Sequence, residues 1–86
     1  MIEIKTNTGF LCQLPEDAVN DMELVELMAA EMPEAFRIAK VADHLLGDQK
    51  KALYEHVRKD GRVPVDAVEQ EIRDILRGLG NQEKNS

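Results

Sequence analysis

Apolar and polar positions alternate with a two-residue period at the start of the chain. Ile2 and Ile4 stand against Glu3 and Lys5, then Phe10, Cys12 and Leu14 against Leu11 and Gln13. This alternation predicts a β-hairpin over residues 2–14, with Asn7-Thr8-Gly9 as the turn and Gly9 placed for a positive φ. Two strands alone are marginal in water, so one face of the hairpin must lie on helices or pair elsewhere. Cys12 falls on the apolar side and reads as a small buried hydrophobe.

From Asn20 onward the period becomes helical. A first helix is expected over about 20–32, capped by Asn20 with Glu23 three residues later, and stopped by Pro33. Leu24, Val25, Met28, Ala29 and Met32 fall on one stripe, which makes Met28 and Met32 core residues, with Glu23 and Glu26 opposite. Pro33 opens a second helix over 33–46, ended by Gly47, whose buried face is Ala35, Ile38, Val41, Ala42 and Leu45.

Phe36 lies off that face, on a polar side shared with Arg37, Lys40, Asp43 and His44. Two readings follow: the hairpin or the acidic helix covers Phe36, or Phe36 awaits a partner. On the second, Phe36 with Arg37, Lys40 and His44 forms a candidate protein-binding site.

Asp48 is placed to cap a third, peripheral helix over 48–60 with Leu53 and Val57 as its apolar line, and Asp60-Gly61 closes it. Pro64 opens the fourth helix, expected over 64–79. Its stripe of Val65, Val68, Ile72, Ile75, Leu76 and Leu79 spans about 100°, and Glu69 and Arg73 form an i, i+4 pair. Gly78 and Gly80 weaken the helix end, and residues 81–86 read as a disordered tail. The expected architecture is one domain over 1–80, α+β but mostly α: an N-terminal hairpin followed by about four helices.

Composition sharpens what such a domain can do. Among 86 residues there are three aromatics, so Leu, Ile, Val, Met and Ala must build the core. The net charge of −6 argues against nucleic-acid binding, which relies on clustered Lys and Arg. No apolar run reaches the roughly 18 residues of a membrane span, and no signal-peptide core follows Met1, so a soluble intracellular protein is expected. Charge is also unevenly placed: Leu14 to Glu34 carries seven acids and no base, a solvated face or a partner-facing one.

Recognisable site chemistry is sparse. One cysteine supports neither an internal disulfide nor a multi-cysteine zinc site. Asp60-Gly61 superficially suggests a calcium loop. With Gly61 at the loop's glycine position, however, the ligand positions one, three and twelve are His56, Arg58 and Ala67. His44 and His56 lie on different helices, without metal-ligand spacing, and read as exposed. With no phosphate loop and no nucleophile elbow, a non-enzyme without cofactor is expected.

The stretch LLGDQKKALYEHVRKDGRVPVDAV, from Leu45 to Val68, resembles a group of small proteins from tailed phages and prophages of Gram-positive bacteria. The N-terminal I-x-I…GF…L hairpin and the acidic, Leu/Met-rich first helix also look similar, which extends the resemblance to roughly residues 2–78. It implies a tail assembly chaperone in the host bacterial cytoplasm, one that binds the tape-measure protein during tail morphogenesis, with the tail-tube protein left open as a further partner. Self-association stays open. The alternative from another class is a small acidic inhibitor or antitoxin-like regulator.

Overall fold

A computed structural model of the chain describes residues 1–84. Strands β1 (Ile2–Lys5) and β2 (Leu11–Leu14) pair antiparallel, with Ile2 opposite Leu14 and Ile4 opposite Cys12. Gly9, at φ 94°, turns the chain, and its amide donates to the Thr6 carbonyl at 3.0 Å. The two-residue period thus resolves as expected: Ile4, Phe10, Cys12 and Leu14 point into the core, while Leu11 points out.

Four helices follow: α1 (Met22–Ala29), α2 (Glu34–Leu46), α3 (Gln49–Val57) and α4 (Val65–Lys84). Helix α2 is central and packs against α1, α3 and α4, and β1 lies on α4. The molecule measures 41 × 31 × 19 Å, so it is only about two elements thick and every helix keeps a wet side. The core runs from the inner hairpin face through Leu24, Ile38, Val41, Leu45, Leu46 and Leu53 to Val68, Ile72, Ile75 and Leu79.

Several boundaries differ from expectation, each for a local reason. The cap of α1 is Asp21 rather than Asn20; its carboxylate accepts the Glu23 amide at 3.0 Å. Helix α1 stops at Ala29 because Ala30 turns extended at ψ 140°, so Met32 is not on it. The buried line of α1 runs through Leu24 and Leu27. Met22, Val25 and Met28 stay 68%, 49% and 47% exposed, which corrects the reading of Met28 as core. Met32 is half-buried, and Ala35, expected on the buried face of α2, is exposed.

Helix α3 begins at Gln49, and Asp48 makes no side-chain cap. Gln49 pairs instead with the backbone of β2. It accepts from the Gln13 amide and donates to the Gln13 carbonyl, both at 2.8 Å, as a neighbouring strand would. Helix α3 ends at Val57, earlier than expected. Asp60 (φ 54°) and Gly61 (φ 81°) form a two-residue turn of the I′ kind, closed by reciprocal Lys59–Arg62 backbone bonds of 2.8 and 3.0 Å. Helix α4 continues past Leu79 to Lys84, so 81–84 is helical rather than a tail; Asn85 and Ser86 lie outside the described residues. Gly78 lies within this helix and has a packing role: a Cβ there would meet Ile4 Cγ2 at 3.1 Å and Cδ1 at 3.3 Å.

Candidate functional site

Helices α1 and α2 run antiparallel and are pinned at both ends. At one end His44 Nε2 meets Asp21 Oδ2 at 2.8 Å. At the other, Arg37 donates to the Ala30 carbonyl at 2.9 Å and pairs with Glu34. The Nε of Arg37 is buried without an acceptor among the described residues. The hydrogen bond with Asp21 pushes the His44 pKa up, and the same bond pulls the Asp21 pKa down. Two of the four residues expected to bind a partner therefore hold α1 onto α2.

Lys40 and His44 line a shallow depression with Leu27, Ala39, Asp43 and Lys50. Phe36 is 63% exposed, so neither the hairpin nor α1 covers it. The four residues do not form one constellation: Arg37 faces the opposite flank, where a different feature lies.

That feature is an apolar groove between α1, α2 and α4, with a volume of about 210 Å³. Met28, Ile38, Val41, Ile72 and Leu76 make its apolar lining. Its polar rim is two intrahelical pairs, Glu34–Arg37 and Glu69–Arg73, the latter at 2.9 Å in the i, i+4 geometry expected from the sequence. The volume is below the roughly 300 Å³ of the smallest usual ligand pockets. An open trough this size suits a row of side chains from another helix. Sequence reasoning missed it because the helical wheel assigned Met28 to the core. The signal that could have found it is the surplus of apolar positions on α1, which fill more than one face of an eight-residue helix.

A second polar cluster holds the hairpin turn on α4. Glu71 is 1% exposed and carries no ion pair among the described residues. It accepts from the Thr6 hydroxyl at 2.8 Å and from the Thr8 hydroxyl at 2.9 and 3.0 Å. Asp74, also buried, accepts from the Asn7 amide at 3.1 Å and from Gln70 at 3.2 Å, with Arg77 at 3.5 Å. His56 is exposed, as expected; it places Nε2 2.9 Å from Thr8 Oγ1, and its ring lies 5.5 Å from that of Phe10.

The Thr8 hydroxyl thus stands between the Glu71 carboxylate and the His56 imidazole. The cluster latches the hairpin turn onto α4. Burial, and secondarily the charge of Glu71, push the neighbouring Cys12 thiol up to about 11, which disfavours the reactive thiolate.

Among the described residues no three His, Cys, Asp or Glu side chains converge to hold a metal ion, and no helix is long and apolar enough to cross a membrane. Set against protein-family models, curated proteins and solved structures, the chain shows no significant match.

Proposed function

We propose that this chain is a non-catalytic interaction protein: a phage or prophage tail assembly chaperone that holds helical segments of the tape-measure protein in the bacterial cytoplasm until tail-tube subunits assemble. The resemblance over roughly residues 2–78 supplies the class. The observation that carries the reading is the apolar groove with half-exposed Met28 at its lip. A helix laid in it would bury its own apolar ridge and that of Met28 together, and Met adapts to varied partner side chains. Phe36 is a second anchor on the far flank of α2, with Lys40 beside it on the wheel. Arg37 and His44 support the site by holding α1 in place.

Titration of the whole chain with a purified tape-measure fragment tests this reading. Saturable binding that is lost in Met28→Asp and weakened in Phe36→Ala supports it. A fragment that does not bind, or that binds Met28→Asp equally well, overturns it.

A second reading, a small acidic inhibitor of a basic protein, is favoured by one feature. Glu16, Asp17, Glu23, Glu26 and Glu31 have no salt-bridge partner among the described residues. The neighbouring genes separate the two: a long coiled-coil gene downstream favours the chaperone, an adjacent toxin or nuclease gene the inhibitor.

A further inference from the structure

Helix α1 carries two apolar lines. Leu24 and Leu27 face the core. At 100° per residue, Met28, Val25, Ala29 and Met22 occupy a separate arc of about 120°, and all four are exposed. Met28 belongs to this arc and also to the lining of the groove, so the exposed stripe continues into Ile38, Val41, Ile72 and Leu76. Among the described residues nothing covers the stripe.

The unpaired charge around this surface is acidic. On α1 Glu26 borders the stripe on one side and Glu23 stands farther round on that same side, Glu31 follows the helix, and none of the three has a basic partner among the described residues. The rim bases Arg37 and Arg73 are each already matched to an acid, Glu34 and Glu69. Of the seven acids from Leu14 to Glu34, Asp21 and Glu34 are paired with His44 and Arg37, which leaves five without a basic partner among the described residues. A second copy of the same face, a nucleic acid or an anionic membrane would meet like charge.

We propose that this continuous surface takes an amphipathic helix whose apolar ridge is flanked by Lys and Arg. The proposal rests on the reading of the groove as a partner site and adds the chemistry of the occupant. The apolar ridge fills the trough and covers Met28, Val25 and Met22. The basic flank on the acidic side meets Glu26 and Glu31, with Glu23 adding to the field there, which speeds encounter and selects against acidic helices.

Two labelled designed peptides test it, with the same leucine ridge but Lys flanks in one and Glu flanks in the other, read by fluorescence anisotropy against the whole chain. The Lys peptide is expected to bind at least about tenfold tighter at low salt and to lose that advantage as salt screens the pairing. The double variant Glu23→Lys, Glu26→Lys should remove most of the preference. Met28→Asp, at an exposed position and with an unchanged circular dichroism spectrum, should abolish binding. Equal binding of the two peptides, tighter binding of the Glu peptide, no binding of either, or indifference to Met28→Asp overturns the proposal.

The tape-measure fragment, run in the same assay, separates the two claims. If it binds through Met28 while the peptides bind equally, the partner reading stands and the basic-flank inference falls. If the Lys peptide is selected and the fragment does not bind, the surface chemistry stands and the tape-measure reading falls.

Discussion

The imidazole of His44 lies 2.8 Å from the carboxylate of Asp21, the residue that caps α1. One Asp21 oxygen holds the Glu23 amide and the other holds His44, so the start of α1 and its docking on α2 share one side chain. The folded pKa of His44 is raised from 6.5 and that of Asp21 is lowered from 3.8, in each case chiefly through their mutual hydrogen bond. For His44 the stabilisation is fully present below pH 6.5 and is lost as pH rises through the raised value. For Asp21 it is fully present above 3.8 and is lost as pH falls through the lowered value. The pair should therefore contribute most between these limits. The Tm difference between the native chain and His44→Ala, followed from pH 4 to 9, should be greatest near pH 5–6 and shrink on the alkaline side. A pH-independent difference would contradict the ion pair.

Gly78 and Gly80 make a matched test of packing against helix propensity. Both lie inside α4, where Gly→Ala ordinarily gains up to about 1 kcal/mol. Around Gly80 the space for a Cβ is open, so Gly80→Ala should raise Tm slightly. At Gly78 the added methyl would stand 3.1 Å from Ile4 Cγ2, on a buried β-branched side chain with little freedom to move. Gly78→Ala should gain nothing and most simply lose stability; thermal melts of the two variants side by side decide it.

Phe36 and Ile72 contrast surface with core. Ile72 is 6% exposed, and Ile72→Ala should cost on the order of 2–5 kcal/mol. Phe36 is well exposed, and Phe36→Ala should change stability by no more than about 0.5 kcal/mol. Chemical denaturation of both variants checks the pair, and a large loss at Phe36 would place its ring in the core.

The hairpin and the stripe of α4 were legible, apart from Val65, which is exposed at the first turn, because strict periods of two and 3.6 leave few alternatives for Ile4, Cys12, Val68, Ile72, Ile75 and Leu79. The buried acids were not. A helical wheel treats every carboxylate as wet, yet Glu71 and Asp74 share their side of α4 with Gly78, where the hairpin comes close. What makes their burial tolerable is the donor-rich turn Thr6-Asn7-Thr8, more than sixty residues away in sequence. Burial of a charge depends on such partners, and composition along one helix cannot supply them. The exposed line on α1 was missed for a related reason: Met and Val are apolar wherever they point, and the pins at Asp21–His44 and Ala30–Arg37 set which line faces inward. Of the four residues expected to bind a partner, only Phe36 owes nothing to those pins or to the depression beside them.

Cys12 can report whether the latch holds the hairpin down. Its thiol is buried and its pKa is pushed up to about 11, so at pH 8 only about one molecule in a thousand carries the thiolate. A disulfide reagent should therefore label the native chain slowly and the unfolded chain fast. The Thr6 hydroxyl donates to Glu71 and accepts the Phe10 amide at 3.1 Å, so Thr6→Val keeps the volume and removes both bonds. That should cost about 1–3 kcal/mol, as a buried partner left unmatched does. If the latch fastens the hairpin locally, labelling in Thr6→Val should rise by roughly tenfold or more under conditions where circular dichroism still reads a folded helical domain. A fall in Tm with no change in the labelling rate would show that the hairpin opens only when the whole domain unfolds.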